Sequence, residues 1–213
     1  MIRLARLVLG WVMLALAVGW SCAGLTQEET LASVGERSNP VAQTIVEAMR
    51  SATGAEMALL GAAFFNESAS APATGFTADD LLKALAHPDD EVVVLSLRGE
   101  QILQALERAL ELYPQKNNAF LQLAGVEVRF NPKAEPGKRV VSVVITGAKL
   151  EPERVYKVAT TAPMARGALG YFRIWSRDQI THSTGRTIAD VVRDYCKWQR
   201  SLLSQPAWRA SDS

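Results

Sequence analysis

The chain has 213 residues, 48% hydrophobic and 21% charged, and this composition excludes a mainly disordered, collagenous or coiled-coil protein. Lysine and arginine number 23 and aspartate and glutamate 22, so the formal net charge of +1 gives no reason to expect a nucleic-acid partner. Two cysteines exclude a disulfide-rich scaffold, and two histidines disfavour a multi-histidine metal site.

The first residues have the pattern of an export signal. Arg3 and Arg6 precede the uncharged apolar residues 7–20, and residues 21–23 are small. We predict a signal peptide over residues 1–23. Cys22 permits a second interpretation, a lipoprotein signal that ends before a lipid-modified Cys22. An uncleaved anchor over residues 7–25 is the third, because about 20 apolar residues span a bilayer.

All three interpretations put the folded part outside the cytoplasm, either periplasmic or secreted. The chain then meets a membrane only through its N-terminal segment. The polar residues 24–38 are predicted to be a linker, residues 39–198 a single domain, and residues 199–213 a tail that either packs on the domain or docks on a partner.

Helical and extended patterns alternate along the domain. Asn39 and Pro40 are typical of a helix start and Gly54 of a helix end, while residues 91–97 are nearly all apolar, as in a central strand. The pattern predicts an α+β fold, a three-layer α/β/α arrangement with a mixed β-sheet. The predicted helices are 40–52, 77–86, 100–110 and 188–198, and the predicted strands are 56–60, 91–97, 126–130, 140–146 and 155–160.

Six segments in this order are similar to those of a known family. Residues 120–126 read F-L-Q-L-A-G-V, close to the family's F-L-Q-v-S-G-l, and residues 95–102 match its v-x-L-x-G-x-q-L turn. The chain resembles the C-terminal domain of the 5′-nucleotidase/UDP-sugar hydrolase family over roughly residues 38–195. The matching segments are 41–50, 76–81, 95–107, 120–126, 137–140 and 156–160.

The resemblance implies a division of labour between two domains. Complete family members join a two-metal phosphoesterase domain to a C-terminal domain that holds the nucleotide, and two metal ions can clamp a displaced phosphate. His87 and His182 are too few for such a centre. We therefore expect no hydrolysis of phosphate esters by this chain alone, and no cofactor.

The positions that hold the nucleotide in the family are substituted here. The family's N-G-G-G-I-R loop aligns with residues 61–66, which puts Gly61 in place of Asn and Asn66 in place of Arg. Its N-G-G-D-G loop aligns with residues 166–170, where Leu169 replaces Asp. The loss of a fixed guanidinium removes a rigid fork of donors.

The family's two base-stacking Phe residues align with Pro88 and Pro163. Each base–aromatic stack contributes about 1–3 kcal/mol, so ordinary nucleotide affinity should be lost. The residues left at this place are either a different ligand pocket or core that fills the former ligand volume. The candidate ligand residues are Phe64, Phe65, Asn66, Arg166 and Tyr171.

Residues 86–91 read A-H-P-D-D-E and match the zinc motif of PIG-L/LmbE-type deacetylases. In that motif a His and an Asp bind zinc and the neighbouring Asp acts as base. Here the motif follows a helix and precedes a strand, which is the wrong context, and only His182 could complete the site. We therefore treat His87, Asp89 and Asp90 as a helix end, where His and Pro are common.

The sequence thus predicts an exported, non-catalytic binding or interaction module with a remodelled nucleotide pocket. Its partner is an unidentified small molecule or protein. The alternative is the substrate-binding half of a nucleotide-degrading system that acts with a separate metallophosphoesterase.

Overall fold

The computed structural model describes residues 27–211, so the predicted signal peptide and Cys22 lie outside the described residues. The helices of this range are α1 (Pro40–Thr53), α2 (Ala78–Lys83), α3 (Gly99–Ala109), α4 (Ala162–Ala165) and α5 (Ile188–Tyr195), with 3₁₀ turns at Ala62–Phe64, Ala168–Arg173 and Arg177–Gln179. No helix within these residues is both long and apolar enough to cross a membrane.

The strands of the same range form three sheets. They are β1 (Glu28–Thr30), β2 (Met57–Gly61), β3 (Ser70–Pro72), β4 (Glu91–Arg98), β5 (Leu121–Ala124), β6 (Val126–Phe130), β7 (Val140–Ile145), β8 (Ala148–Lys149), β9 (Val155–Thr161), β10 (Ile180–Thr187) and β11 (Trp208–Ala210). The central sheet has the order β10-β4-β9-β2-β5 and is mixed, since β2 is parallel to β9 and the other pairs are antiparallel. A second sheet has the order β11-β6-β7-β8, and β1 pairs with β3.

Local sequence fixes the ends of α1 as predicted. The Asn39 side chain accepts hydrogen bonds from the backbone N–H groups of Val41 and Ala42, at 3.1 and 3.2 Å. Gly54 ends the helix in the left-handed region with φ 63°, which costs glycine little. The buried face of α1 then packs on β5 and β2 of the central sheet and on α5.

The central sheet carries helices and holds the core. Residues 92–95 of β4 are buried on both faces, in agreement with the prediction of an internal strand. The helix α3 contacts β4 of the central sheet and β7 of the second sheet, while α4 contacts β4 and β9. The predicted α+β class with a mixed sheet is confirmed. The separate second sheet was not predicted.

The structure corrects the predicted linker over residues 24–38. From residue 27 onward this segment belongs to the domain, because Glu28–Thr30 forms β1 and both Leu31 and Val34 are fully buried. The buried Gln122 amide holds the segment in place by donating to the carbonyl oxygens of Val34 and Arg37, at 2.8 and 2.7 Å. The polar composition concealed these two apolar anchors.

The C-terminal segment also belongs to the domain, which corrects the predicted boundary at residue 198. Residues Trp208–Ala210 pair in parallel with β6. The Trp208 indole is buried, donates to the Leu121 carbonyl at 2.7 Å and packs on Phe120, with ring centroids 5.2 Å apart. Of the two interpretations of the tail, the structure supports packing on the domain.

We predict that Trp208→Ala lowers the free energy of unfolding by about 3–5 kcal/mol, the usual cost of deleting a buried large aromatic side chain. Trp198→Ala is the matched control, because Trp198 is 64% exposed and its loss should cost less than about 1 kcal/mol. Urea unfolding of both variants checks this. Equal losses would mean that the tail is not part of the cooperative unit.

Candidate functional site

Three segments meet beside one end of the central sheet. The 3₁₀ turn Ala62–Phe64 follows β2, the turn at residues 86–90 precedes β4, and α4 with the turn Ala168–Arg173 follows β9. The Ala86 N–H donates to the Phe64 carbonyl at 2.9 Å, which joins the first two segments. These are the segments that align with the family's nucleotide loops, and the structure brings them together.

The Leu169 side chain lies directly against Gly61. A Cβ atom at position 61 would overlap Leu169 Cδ1 and would lie 3.6 Å from the Met164 sulfur. Leu169 itself adopts a left-handed backbone with φ 58°, a conformation that costs a non-glycine residue about 1–2 kcal/mol. Gly61 and Leu169, which the resemblance aligned with the family's Asn and Asp, are therefore in apolar contact.

Arg108 of α3 holds the Leu169 turn in place. Its Nε donates to the Leu169 carbonyl at 3.2 Å, and its Nη2 donates to the same oxygen. A Cβ atom at Gly170 would overlap this guanidinium group, so a side chain there would have to push Arg108 aside. Sequence reasoning missed Arg108, because the contact joins residues 61 positions apart and no motif marks it.

Tyr171 is fully buried and engaged at both ends. Its hydroxyl donates to the Ala119 carbonyl at 2.6 Å, and its ring stacks on Trp175 with centroids 4.7 Å apart and planes 10° apart. Burial raises the pKa of the Tyr171 hydroxyl far above its usual value, so the group stays neutral. In this arrangement Tyr171 is a core residue that supports the Leu169 turn.

The remaining predicted ligand residues divide into two groups. Phe64 and Phe65 are only 7% and 5% exposed, and the Phe64 ring meets the His87 ring edge-on at 6.3 Å. Asn66 and Arg166 are exposed, and the Asn66 side chain accepts a hydrogen bond from the Ser68 N–H at 3.2 Å. The aromatic members therefore fill the core and the polar members face solvent.

Two buried polar atoms near this place have no hydrogen-bond partner among residues 27–211: Asp90 Oδ2 and Thr161 Oγ1. Thr161 pairs with Val92 across β9 and β4, and Asp90 comes just before β4, two residues ahead of Val92. Burial raises the pKa of the Asp90 carboxyl, while the charges of His87 and Arg166 oppose the rise. An unpaired buried carboxylate is a local cost to stability.

The zinc motif is not assembled as a metal centre in the described part of the chain. His87 and Asp89 are exposed, and His182 lies in β10 opposite Val94. Within residues 27–211 no group of three or more His, Cys, Asp or Glu side chains is placed to hold a metal ion. The turn at residues 87–90, which leads into β4, instead holds the start of α5. The Asp90 carbonyl accepts a hydrogen bond from the Ile188 N–H at 3.0 Å.

Comparisons with known proteins agree on one family. Residues 21–177 match the family profile described as "5′-nucleotidase, C-terminal domain". A snake venom 5′-nucleotidase of Naja atra is 33% identical over 112 residues, which cover 49% of this chain and 21% of that protein. The match thus spans about a fifth of the length of this relative.

Solved structures share the fold. A 5′-nucleotidase precursor from Thermus thermophilus superposes with a TM-score of 0.74 at 22% identity, covering 88% of this chain and 39% of that one. The sulfate thiohydrolase SoxB of the same organism superposes with a TM-score of 0.60 at 21% identity, and the match covers 81% of this chain and 32% of SoxB. At such identities the likeness concerns the fold alone.

We predict that Asp90→Asn stabilises the protein at neutral pH. The folded-state pKa of Asp90 lies above its ordinary 3.8, so the folded state holds the proton more tightly than the unfolded state. The wild-type contribution is therefore most favourable below about pH 4 and decreases as pH rises through the folded-state pKa. The gain should stay below about 1 kcal/mol, because solvent partly screens this carboxyl.

Urea unfolding at a series of pH values from about 3.5 to about 7.5 measures the difference between the variant and the wild type. Asp89→Asn is the matched control, since Asp89 is the exposed neighbouring carboxylate. A difference for Asp90→Asn that does not change with pH would contradict the burial of an unpaired carboxylate.

Proposed function

Because the chain belongs to the family of 5′-nucleotidase C-terminal domains, we propose that it is a non-catalytic binding and interaction module of this family whose nucleotide position is filled by its own side chains. The observation that carries the proposal is the contact of the Leu169 side chain with Gly61. A ligand at this place would have to displace Leu169.

Displacement of Leu169 would cost several interactions at once. The turn is fixed by the Arg108 hydrogen bonds to the Leu169 carbonyl. It is also tied to Tyr171, whose ring faces the same guanidinium at 5.4 Å and whose hydroxyl is bonded to Ala119. Since a buried donor or acceptor left unpaired costs about 1–3 kcal/mol, opening the turn is unfavourable.

The substitutions also remove the aromatic rings and the guanidinium group that would contribute to nucleotide affinity. Pro163 lies in the first turn of α4, and the Pro88 carbonyl accepts a hydrogen bond from the Ala189 N–H at 2.9 Å. Neither pyrrolidine ring offers the aromatic face on which a base stacks. Gly61 and Asn66 supply no guanidinium for a phosphate.

The non-catalytic part of the proposal rests on the metal-ligating residues. The two-metal chemistry of phosphate ester hydrolysis needs several His and carboxylate ligands around one point. The chain has two histidines, on the turn before β4 and on β10. We propose that neither takes part in metal-assisted hydrolysis.

A second candidate function has one observation in its favour. In the Naja atra relative the matched region is only 21% of the protein, so there it is one part of a longer chain. The present module would then serve a separate metallophosphoesterase as its substrate-binding half. That role requires nucleotide affinity, which distinguishes it from the first proposal.

We also propose that the module acts outside the cytoplasm, either as a soluble periplasmic or secreted protein or as a lipoprotein attached through Cys22. This rests on the basic start and the apolar residues 7–20. Mass spectrometry of the protein purified from its own cells distinguishes the two forms by the mass of the N-terminus.

The proposal predicts that nucleotides do not stabilise the protein. The melting temperature of the full chain is measured with AMP, adenosine, UDP-glucose and, separately, Zn²⁺, each at millimolar concentration. Binding at a hundred times the dissociation constant would add about 2.7 kcal/mol of stability, which a melting curve detects readily. We expect no shift with any of these ligands.

A rise specific to nucleotides would overturn the filled site and favour the partnership with a phosphoesterase. A rise with Zn²⁺ alone, absent in His87→Ala, would instead restore the deacetylase interpretation. Asp178→Ala, at an exposed carboxylate elsewhere, is the control for nonspecific metal binding.

A further inference from the structure

An open groove of about 830 Å³ lies between α3, the turn before β7 and the end of the Ala168–Arg173 turn. This volume is within the range of about 300–1,000 Å³ that is usual for small-molecule sites. Gly61, Phe64 and Leu169 do not line the groove, although Arg108, which does, also donates to the Leu169 carbonyl.

The floor of the groove is apolar and accessible. Leu103 faces it from α3 and is 38% exposed, away from the buried stripe of that helix. Val140 and Ile174 contribute from the other two segments and are half-buried. Phe172, which precedes Arg173 in the chain, is 65% exposed. Contiguous exposed apolar surface of this kind marks interaction sites more often than scattered single residues do.

The carboxylates of the groove already have partners within the protein. Both Glu107 carboxylate oxygens accept backbone N–H groups, from Arg139 at 3.0 Å and from Val140 at 2.7 Å. Glu111 pairs with Arg108 at 3.3 Å. Glu107 therefore keeps its negative charge but has both oxygens occupied by backbone donors, and the charge of Glu111 is paired with that of Arg108.

Two positive charges at the rim have no such partner. Lys138 and Arg173 are exposed, and neither forms an ion pair with a residue of the described range 27–211. The Arg173 guanidinium lies 5.7 Å from the centre of the Phe172 ring, so a cation and an aromatic face are presented together. The groove thus combines an apolar floor with two unpaired cations.

We propose that this groove binds an anionic amphiphile, a molecule with an apolar body and one carboxylate, sulfonate or phosphate group. The apolar body lies on Leu103, Val140 and Ile174, and the anionic group meets Lys138 and Arg173. The arginine can bind a carboxylate or phosphate through two parallel hydrogen bonds. An uncharged amphiphile of the same size can lie on the same floor but gains no ion pair with Lys138 or Arg173.

The test uses two fluorescent probes that differ in charge. 1-Anilinonaphthalene-8-sulfonate is an anionic amphiphile, and N-phenyl-1-naphthylamine is its uncharged counterpart. Both are titrated into the full chain. We expect the sulfonate to bind with saturation, and the double variant Lys138→Gln/Arg173→Gln to weaken its binding about fivefold while binding of the uncharged probe stays unchanged.

A second variant tests the floor. Leu103→Asp should lower the affinity for both probes at least about fivefold. The matched control Leu112→Asp, at a 51% exposed leucine outside the groove, should leave both affinities unchanged. The melting temperature of each variant shows that it is folded. Decanoate should displace the sulfonate probe at a clearly lower concentration than decanol does.

Equal effects of Leu103→Asp and Leu112→Asp would overturn the proposal, because the probes would then bind elsewhere on the chain. An unchanged affinity of the sulfonate in the double variant would also overturn it, since the groove would lack selectivity for anions. None of these outcomes bears on nucleotide binding at Gly61, which the melting experiment tests separately.

Discussion

The proposed function depends on the contact between the Leu169 side chain and Gly61. It requires Leu169 to adopt a left-handed backbone, at a cost of about 1–2 kcal/mol that other interactions must offset. Arg108 offsets this cost with two hydrogen bonds to the Leu169 carbonyl. The stacked rings of Tyr171 and Trp175 fix the residues that follow the turn. A conformation that costs energy and is held by several contacts is a built feature of the fold. In the proposed function, this turn places apolar side chains where the resemblance put a polar ligand position.

The surrounding structure keeps this turn rigid. Tyr171 is bonded to Ala119, which immediately precedes Phe120 and β5, and Trp175 is bonded to the Met164 carbonyl at 2.9 Å in α4. Gln122 of β5 binds the segment before α1, and Trp208 binds the carbonyl of Leu121. The segments at both ends of the described range are therefore joined to the strand that stands beside the filled site. These long-range contacts hold the Leu169 turn in its place in the domain.

The sequence predicted those elements whose ends or burial depend on neighbouring residues in the chain. Asn39 and Gly54 bound α1 because a cap and a left-handed glycine act within a few residues, and β4 follows from its continuous apolar run. The role of Arg108 could not be predicted, because its partner is 61 residues away and an arginine on an amphipathic helix is usually solvated. Leu31 and Val34 were missed for a related reason, because they are isolated apolar residues in a polar segment. Trp208 lies in the tail, for which the sequence left packing on the domain and docking on a partner both open. At the candidate site, the alignment identified Gly61 and Leu169 as substituted positions, but only the structure shows that they touch.

A double-mutant cycle on Gly61→Ala and Leu169→Ala, measured by urea unfolding, tests the filled site most directly. The Cβ added at residue 61 should cost about 1–3 kcal/mol when Leu169 is present, because it overlaps the leucine, and much less when residue 169 is alanine. The account predicts a coupling energy of about 1 kcal/mol or more between the two sites. Gly35→Ala with Leu169→Ala is the control pair, since a Cβ at residue 35 meets only Asn117 and Lys116 at ordinary distances. Additivity of the Gly61 and Leu169 substitutions within about 0.5 kcal/mol would contradict the account.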